Sequence, residues 1–200
     1  MLFGHHDKVL DVTVHSADKL QQLDWLDRND PYVRLYLDPN RVEDGALTHT
    51  VEGGGKRPDW NQTVSLKHLK DTTKYLYLEI MDEDAKIDEL IAYAAIPLDQ
   101  VTTVPNHRYA GKFDVYSRDG KVHGRITLTL RIRKIDEQVH DAKVEESTVA
   151  KGVSLAEVGH QKRIQHILHL ERHGDLVGGH RTTAPAAGKS VDPVKHRKEA

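Results

Sequence analysis

The sequence predicts an all-β fold, an eight-stranded antiparallel sandwich with a partly helical, largely disordered C-terminal tail. Three observations carry that prediction. Between Val9 and Arg133, short apolar runs alternate with polar residues at a period of two, the pattern of strands buried on one face. Turn signals separate the runs, and no helical periodicity intervenes. From Asp136 onward the character changes: half of the 14 histidines fall there, charges balance, and aromatic residues disappear. Such a stretch cannot support a core of its own. The chain therefore divides into residues 1–135, the sandwich, and residues 136–200, a His-rich tail.

The strands follow in order. Leu10, Val12 and Val14 face one way, and Asp11, Thr13 and His15 the other. Tyr32 to Leu37 turns Val33, Leu35 and Leu37 inward until Asp38-Pro39-Asn40 breaks it. Leu47 to Val51 is a short strand, and Gly53 to Pro58 a loop. Gln62 to Leu66 and Tyr75 to Met81 come next, with Leu76, Leu78 and Ile80 inward. Leu90 to Ile96 resumes the pattern. A connector from Pro97 to His107 holds at most one helical turn. Tyr109 to Val115 and Arg125 to Arg133 flank a turn at Arg118-Asp119-Gly120, a hairpin signal. In the last strand Ile126, Leu128, Leu130 and Ile132 point inward. If successive strands alternate direction, the loops near Asp24, Gly53–Pro58, Asp82 and Asp119 share one end of the sandwich. In the tail, Leu155 to His173 reads as a helix, with Leu155, Val158, Ile164, Ile167, Leu168 and Leu170 forming an apolar stripe.

Composition narrows the function. With 29 Lys+Arg against 31 Asp+Glu, no global field draws the chain to nucleic acid. There are no cysteines, which excludes disulfides and thiolate metal sites and fits a reducing compartment. No apolar run approaches the ~18 residues of a membrane span. Met1 to His6 is too short and polar for a signal peptide, so cytoplasmic is the expected location and the sequon Asn61-Gln62-Thr63 reads as a strand start. Catalytic signatures such as G-x-S-x-G and H-E-x-x-H do not occur, so no enzyme is expected. Gly53-Gly54-Gly55-Lys56-Arg57 is not a phosphate loop, because Arg57 stands where Ser or Thr is required. His166, His169 and His173 share one helical face, a spacing that could hold a transition metal and that a His-rich helix also yields by chance.

Two acidic stretches remain. Asp24 to Asp30 and Asp82 to Glu89 each lie where a strand stops, and together hold Asp24, Asp30, Asp82, Asp84, Asp88 and Glu89. Carboxylates gathered at ~4 Å repel by roughly 1–4 kcal/mol per pair. A hard divalent cation relieves that repulsion, and calcium accepts ~6–8 oxygen ligands in loose geometry. The second stretch is not an EF-hand, since Lys86 replaces a ligand and Ile87 the required Gly. The alternative is two solvated acidic turns.

The spacing resembles a known family. Leu20-x-x-x-Asp24 followed by Asp30-Pro31-Tyr32-Val33 resembles the first calcium loop of a C2 domain. Pro58-x-Trp60-Asn61 resembles that family's fourth-strand mark, and Asp82-x-Asp84 with Asp88-Glu89-Leu90-Ile91 its third loop. The resemblance spans residues 8 to 134, and Gly124-Arg125-Ile126-Thr127-Leu128 resembles the last strand of the circular variant. The third loop is a residue short, and Ala92 stands where the family usually has Gly, so either Asp88 or Glu89 is the last ligand.

The resemblance implies calcium-dependent binding of anionic phospholipid membranes, peripheral and triggered by a calcium rise. Trp25, Leu26 and Ile87 would then enter the bilayer interface, and Lys56 and Arg57 would meet head groups. The alternative is a calcium-independent protein-interaction module of the same fold, with residues 136–200 as a possible partner-binding arm.

Overall fold

A computed structural model describes residues 8–23, 27–85, 87–135 and 158–173. Its strands are β1 (Lys8–Asp18), β2 (Pro31–Tyr36), β3 (Ala46–Leu47), β4 (Asp59–Leu69), β5 (Tyr75–Asp82), β6 (Glu89–Pro97), β7 (Arg108–Tyr116) and β8 (Val122–Lys134). All eight strands expected from the alternation are present, and every pairing is antiparallel. The third is shorter than expected, because Thr48 and Val51 bond to Val33 and Pro31 as a loop rather than extending the ladder. The connector holds one α-helical turn, α1 (Asp99–Thr102), and a 3-10 turn at Pro105–His107.

The strand order is β3-β2-β5-β6-β7-β8-β1-β4. A single residue pair, Tyr93 with Tyr116, joins β6 to β7. The sheet therefore folds there into two layers of four strands that nearly close on each other. Between them lie Leu10, Val12 and Val14 of β1, Val33 and Leu35 of β2, and Leu76, Leu78 and Ile80 of β5. Trp60 of β4, Phe113 of β7 and Leu128 of β8 complete this core. Leu37 and Ile132 pack at its margin. Trp60 is buried with its indole N–H donating to Pro31 O at 3.0 Å, so its one polar atom is satisfied.

Antiparallel order places the first, third, fifth and seventh loops at one end, as parity requires. Backbone bonds tie three of them together. Leu20 N–H donates to Lys56 O, Gly55 N–H to Asn29 O at 2.9 Å, and Glu83 N–H to Asp30 O at 3.0 Å. Gly55 is buried with φ +56°, a left-handed conformation that strains any side chain. The Asn29 side chain fastens the first loop from inside, donating to Gln21 O at 2.8 Å and accepting from Gln22 and Leu23.

A second helix, α2 (Val158–His173), lies within the stretch expected to be helical. It does not trail from the sandwich. Ile164, Ile167 and Leu168, at helical spacing, pack on Tyr32, Met81, Leu90 and Tyr93, which project from the outer face of β2, β5 and β6. Burial of this kind is worth roughly 1.5–3 kcal/mol per large apolar side chain before ordering costs. The same helix buries His160 against Tyr36, Tyr77 and Tyr93, with ring centroids 4.9–6.2 Å apart. Leu170 is half-buried, Val158 has no described side chain, and Leu155 lies outside the described residues, as does the rest of the proposed partner-binding arm. Among the described residues no helix is long and apolar enough to cross a membrane.

Candidate functional site: the acidic loop end

Strands β2 and β5 pair with Pro31 opposite Asp82, so Asp30 and Asp82 meet where the two strands leave the sheet. Asp82 Oδ1 accepts the Asp30 N–H at 2.6 Å. Asp30 Oδ1 in turn accepts the N–H of Gly53 at 2.6 Å, which draws the third loop to the first. Across the β5–β6 hairpin Asp82 pairs with Glu89, so these two carboxylates share one face. Asp82 is only 8% exposed. Burial, reinforced by the negative charges of Asp84, Asp30 and Glu89, pushes its pKa up to about 6, against the opposing hydrogen bond from Asp30. The two acidic stretches do converge, with Asp82 at their centre.

Asp88 and Glu89 diverge. Asp88 is 7% exposed and accepts the Tyr32 hydroxyl at 2.9 Å, with Asp84 N–H near its other oxygen at 3.3 Å. Burial and the charge of Asp88 raise the pKa of that hydroxyl, so it stays protonated and donating. Glu89 stays half-exposed beside Asp82, with Arg118 Nη2 at 3.9 Å from its Oε2. Asp84 is exposed at the loop tip. Glu83 takes a separate path and accepts the Thr50 hydroxyl.

The remaining expected residues fall as follows. Asp24, Trp25 and Leu26 lie outside the described residues. Lys56 and Arg57 are exposed on the loop between the two acidic stretches, and Ile87 is half-buried in the second acidic loop. His166 and His169 are exposed, and the side chain of His173 is not described. Among the described residues no three His, Asp or Glu side chains form a metal-binding group. The groups whose negative charge reaches Asp82 are the carboxylates of Asp84, Asp30 and Glu89, and carboxylate oxygens suit a hard cation.

Residue-by-residue reading of the sequence missed three participants. Tyr32 sits in the Asp30-Pro31-Tyr32-Val33 stretch at an outward position, yet its hydroxyl fixes Asp88. Arg118 belongs to the seventh loop, which parity already placed at this end, and its Nε donates to Leu90 O at 2.8 Å. Glu171 comes from α2 and accepts the Leu90 N–H at 2.6 Å. Only the first two carried a signal that sequence could have used.

An eight-stranded sandwich of this order, with carboxylates from two loops gathered at one end, defines a C2-type module. Residues 8–115 match the model of the C2 domain family, and the chain belongs to that family. It is 36% identical over 93 residues to 16 kDa phloem protein 2 of Arabidopsis thaliana, covering 46% of this chain and 60% of that protein. It is 26% identical over 141 residues to a calcium-dependent lipid-binding protein of Arabidopsis thaliana, covering 68% of this chain and 27% of that one. The solved C2 domain-containing protein from a putative elicitor-responsive gene superposes with a TM-score of 0.52 at 26% identity, covering 66% of this chain and 93% of that structure. The chain thus spans less than two thirds of the curated relatives named. The family is generally non-enzymatic, commonly binds calcium, and has members that bind phospholipid membranes.

Proposed function

We propose that this domain binds calcium between its two acidic loops, Asp24 to Asp30 and Asp82 to Glu89, and, through the ion, docks on anionic phospholipid membranes. The observation that carries this reading is Asp82, a nearly buried carboxylate bonded to the Asp30 N–H and ringed by the charges of Asp84, Asp30 and Glu89. Asp24, Asp30, Asp82, Asp84 and Glu89 are the assigned ligands. Asp88 shapes the loop through Tyr32 and Asp84 N–H. Calcium, when bound, supplies positive charge at the loop tips and open coordination positions for lipid phosphate. Trp25, Leu26 and Ile87 then enter the interface, where an amphipathic aromatic is favoured, and Lys56 and Arg57 meet head groups at about 1 kcal/mol each.

A second reading, a calcium-independent protein-interaction module, draws on one observation. Asp30 and Asp88 are already satisfied by protein donors, and Glu89 has Arg118 beside it. Thermal unfolding in calcium and in magnesium separates the two. Calcium at a hundredfold its Kd adds about 2.7 kcal/mol of stability by mass action. Magnesium adds far less, because it demands octahedral geometry and releases water reluctantly. A melting temperature that ignores millimolar calcium supports the second reading.

A further inference from the structure

Helix α2 reaches the acidic end as well as the sheet face. Near its C-terminal end, Glu171 accepts the Leu90 N–H at 2.6 Å through Oε1 and pairs through Oε2 with Arg118. Arg118 donates from Nε to Leu90 O at 2.8 Å and holds Nη2 3.9 Å from Glu89. Both backbone polar groups of Leu90, the residue after Glu89, are therefore held by side chains. The ladder makes room for this. Between the Ile80–Ala92 and Met81–Leu90 pairs the register shifts, so Ile91 has no opposite partner and the strand entrance bends. A second connection runs through Tyr32, which packs in the cluster under Ile164, Ile167 and Leu168 and donates its hydroxyl to Asp88.

Charge decides the direction of the coupling. Arg118 stands between two carboxylates and makes its close contact with Glu171 rather than with Glu89. Without Glu171, Glu89 is the acid nearest to that guanidinium, and a tighter pair would draw Glu89 away from Asp82 and cancel its charge. With Glu171 in place, Glu89 keeps its charge for an ion. We propose that α2 positions the second acidic loop, Asp82 to Glu89, for calcium through Glu171 and Arg118, so that helix docking and calcium binding strengthen each other. This rests on the calcium reading above and adds the helix as part of the site. Glu171 and Arg118 are positioning residues, not ligands.

Linkage requires the effect to run both ways with equal size. Calorimetric calcium titration and amide exchange of the full chain test both directions. Glu171→Gln keeps shape and removes charge, and should weaken calcium binding about five- to tenfold, within the ~5–150-fold usual for coupled sites. Arg163→Gln loosens α2 from Glu79 without touching the acidic loop, and should weaken calcium binding in the same direction. In the parent, saturating calcium should slow exchange across residues 160–171 by a comparable factor, while the same calcium leaves that exchange much less changed in Glu171→Gln. Equal calcium affinity in parent and both variants overturns the proposal, as does helix exchange that calcium leaves unaltered. No heat on titrating the parent overturns the calcium reading itself, and this inference with it.

Discussion

Arg163 Nε lies 2.6 Å from Glu79 Oε1, a carboxylate with no solvent exposure, and Arg163 Nη2 lies 3.0 Å from the other oxygen. Arg34 Nη1 at 3.0 Å and the Tyr36 hydroxyl at 2.7 Å complete the shell of Glu79. The helix thus closes over a charge that needs it. A buried carboxylate deprived of one partner costs several kcal/mol, limited here because a loosened helix would readmit water. Arg163→Ala should lower unfolding stability by about 1–3 kcal/mol and speed exchange along α2. Chemical denaturation measures the first, and an unchanged midpoint would show that the helix contributes nothing to the fold.

Asp82 gives a pH dependence with a defined sign. Its folded pKa, about 6, lies above the ordinary 3.8, so between those values the folded state holds a proton that the unfolded state has lost. Without calcium, this group's contribution is most favourable below pH 4, declines as pH rises to about 6, and is level above. The full change is about 2–3 kcal/mol at 1.36 kcal/mol per pKa unit. Asp82→Asn abolishes it while retaining an oxygen for the Asp30 N–H. Melting curves of parent and variant should therefore diverge between pH 4 and 6.5, the variant being the more stable at neutral pH in chelator. Parallel curves would mean that Asp82 is neither shielded from solvent nor crowded by like charge.

The two candidates for the last ligand separate by substitution. Glu89→Gln removes a charge that faces Asp82 and should weaken calcium binding at least tenfold with little change in stability. Asp88→Asn should act mainly on stability, since its oxygens hold Tyr32 and Asp84 N–H. Calorimetry beside thermal unfolding reads both, and the reverse pattern would exchange the two roles.

Most of the fold was legible because alternation is a strong signal where one strand face is buried. The runs through Leu10, Val33, Leu78 and Leu128 each announced a strand, and direction parity brought Asp30 to Asp82. The outer face was not legible. Alternation turns Glu79 and Tyr77 away from the core, and nothing local says that α2, some eighty residues on, covers them. Six of the seven tyrosines, Tyr32, Tyr36, Tyr75, Tyr77, Tyr93 and Tyr116, lie in strand positions that pack in clusters outside the main core, which was the available hint. The capping of Asp88 by Tyr32 escaped for the same reason. It depends on where a loop carboxylate, Asp88, falls beside an outward tyrosine packed under a distant helix.

Trp25 separates ion binding from membrane entry. It offers no side-chain ligand, so Trp25→Ala should leave calcium affinity in the absence of lipid nearly intact. Loss of one interfacial aromatic of this size costs on the order of 1–3 kcal/mol of membrane affinity. Liposome sedimentation in calcium reads that loss, and retention equal to the parent would place Trp25 outside the membrane contact.

Co-sedimentation of the full chain with phosphatidylserine-containing vesicles, in calcium and in chelator, tests the central claim most directly. Calcium should bring the parent into the pellet, chelator should release it, and Asp30→Asn and Asp82→Asn should stay in the supernatant under both conditions. Equal pelleting with and without calcium, or pelleting of the two variants like the parent, would contradict a calcium-gated membrane site at the acidic end.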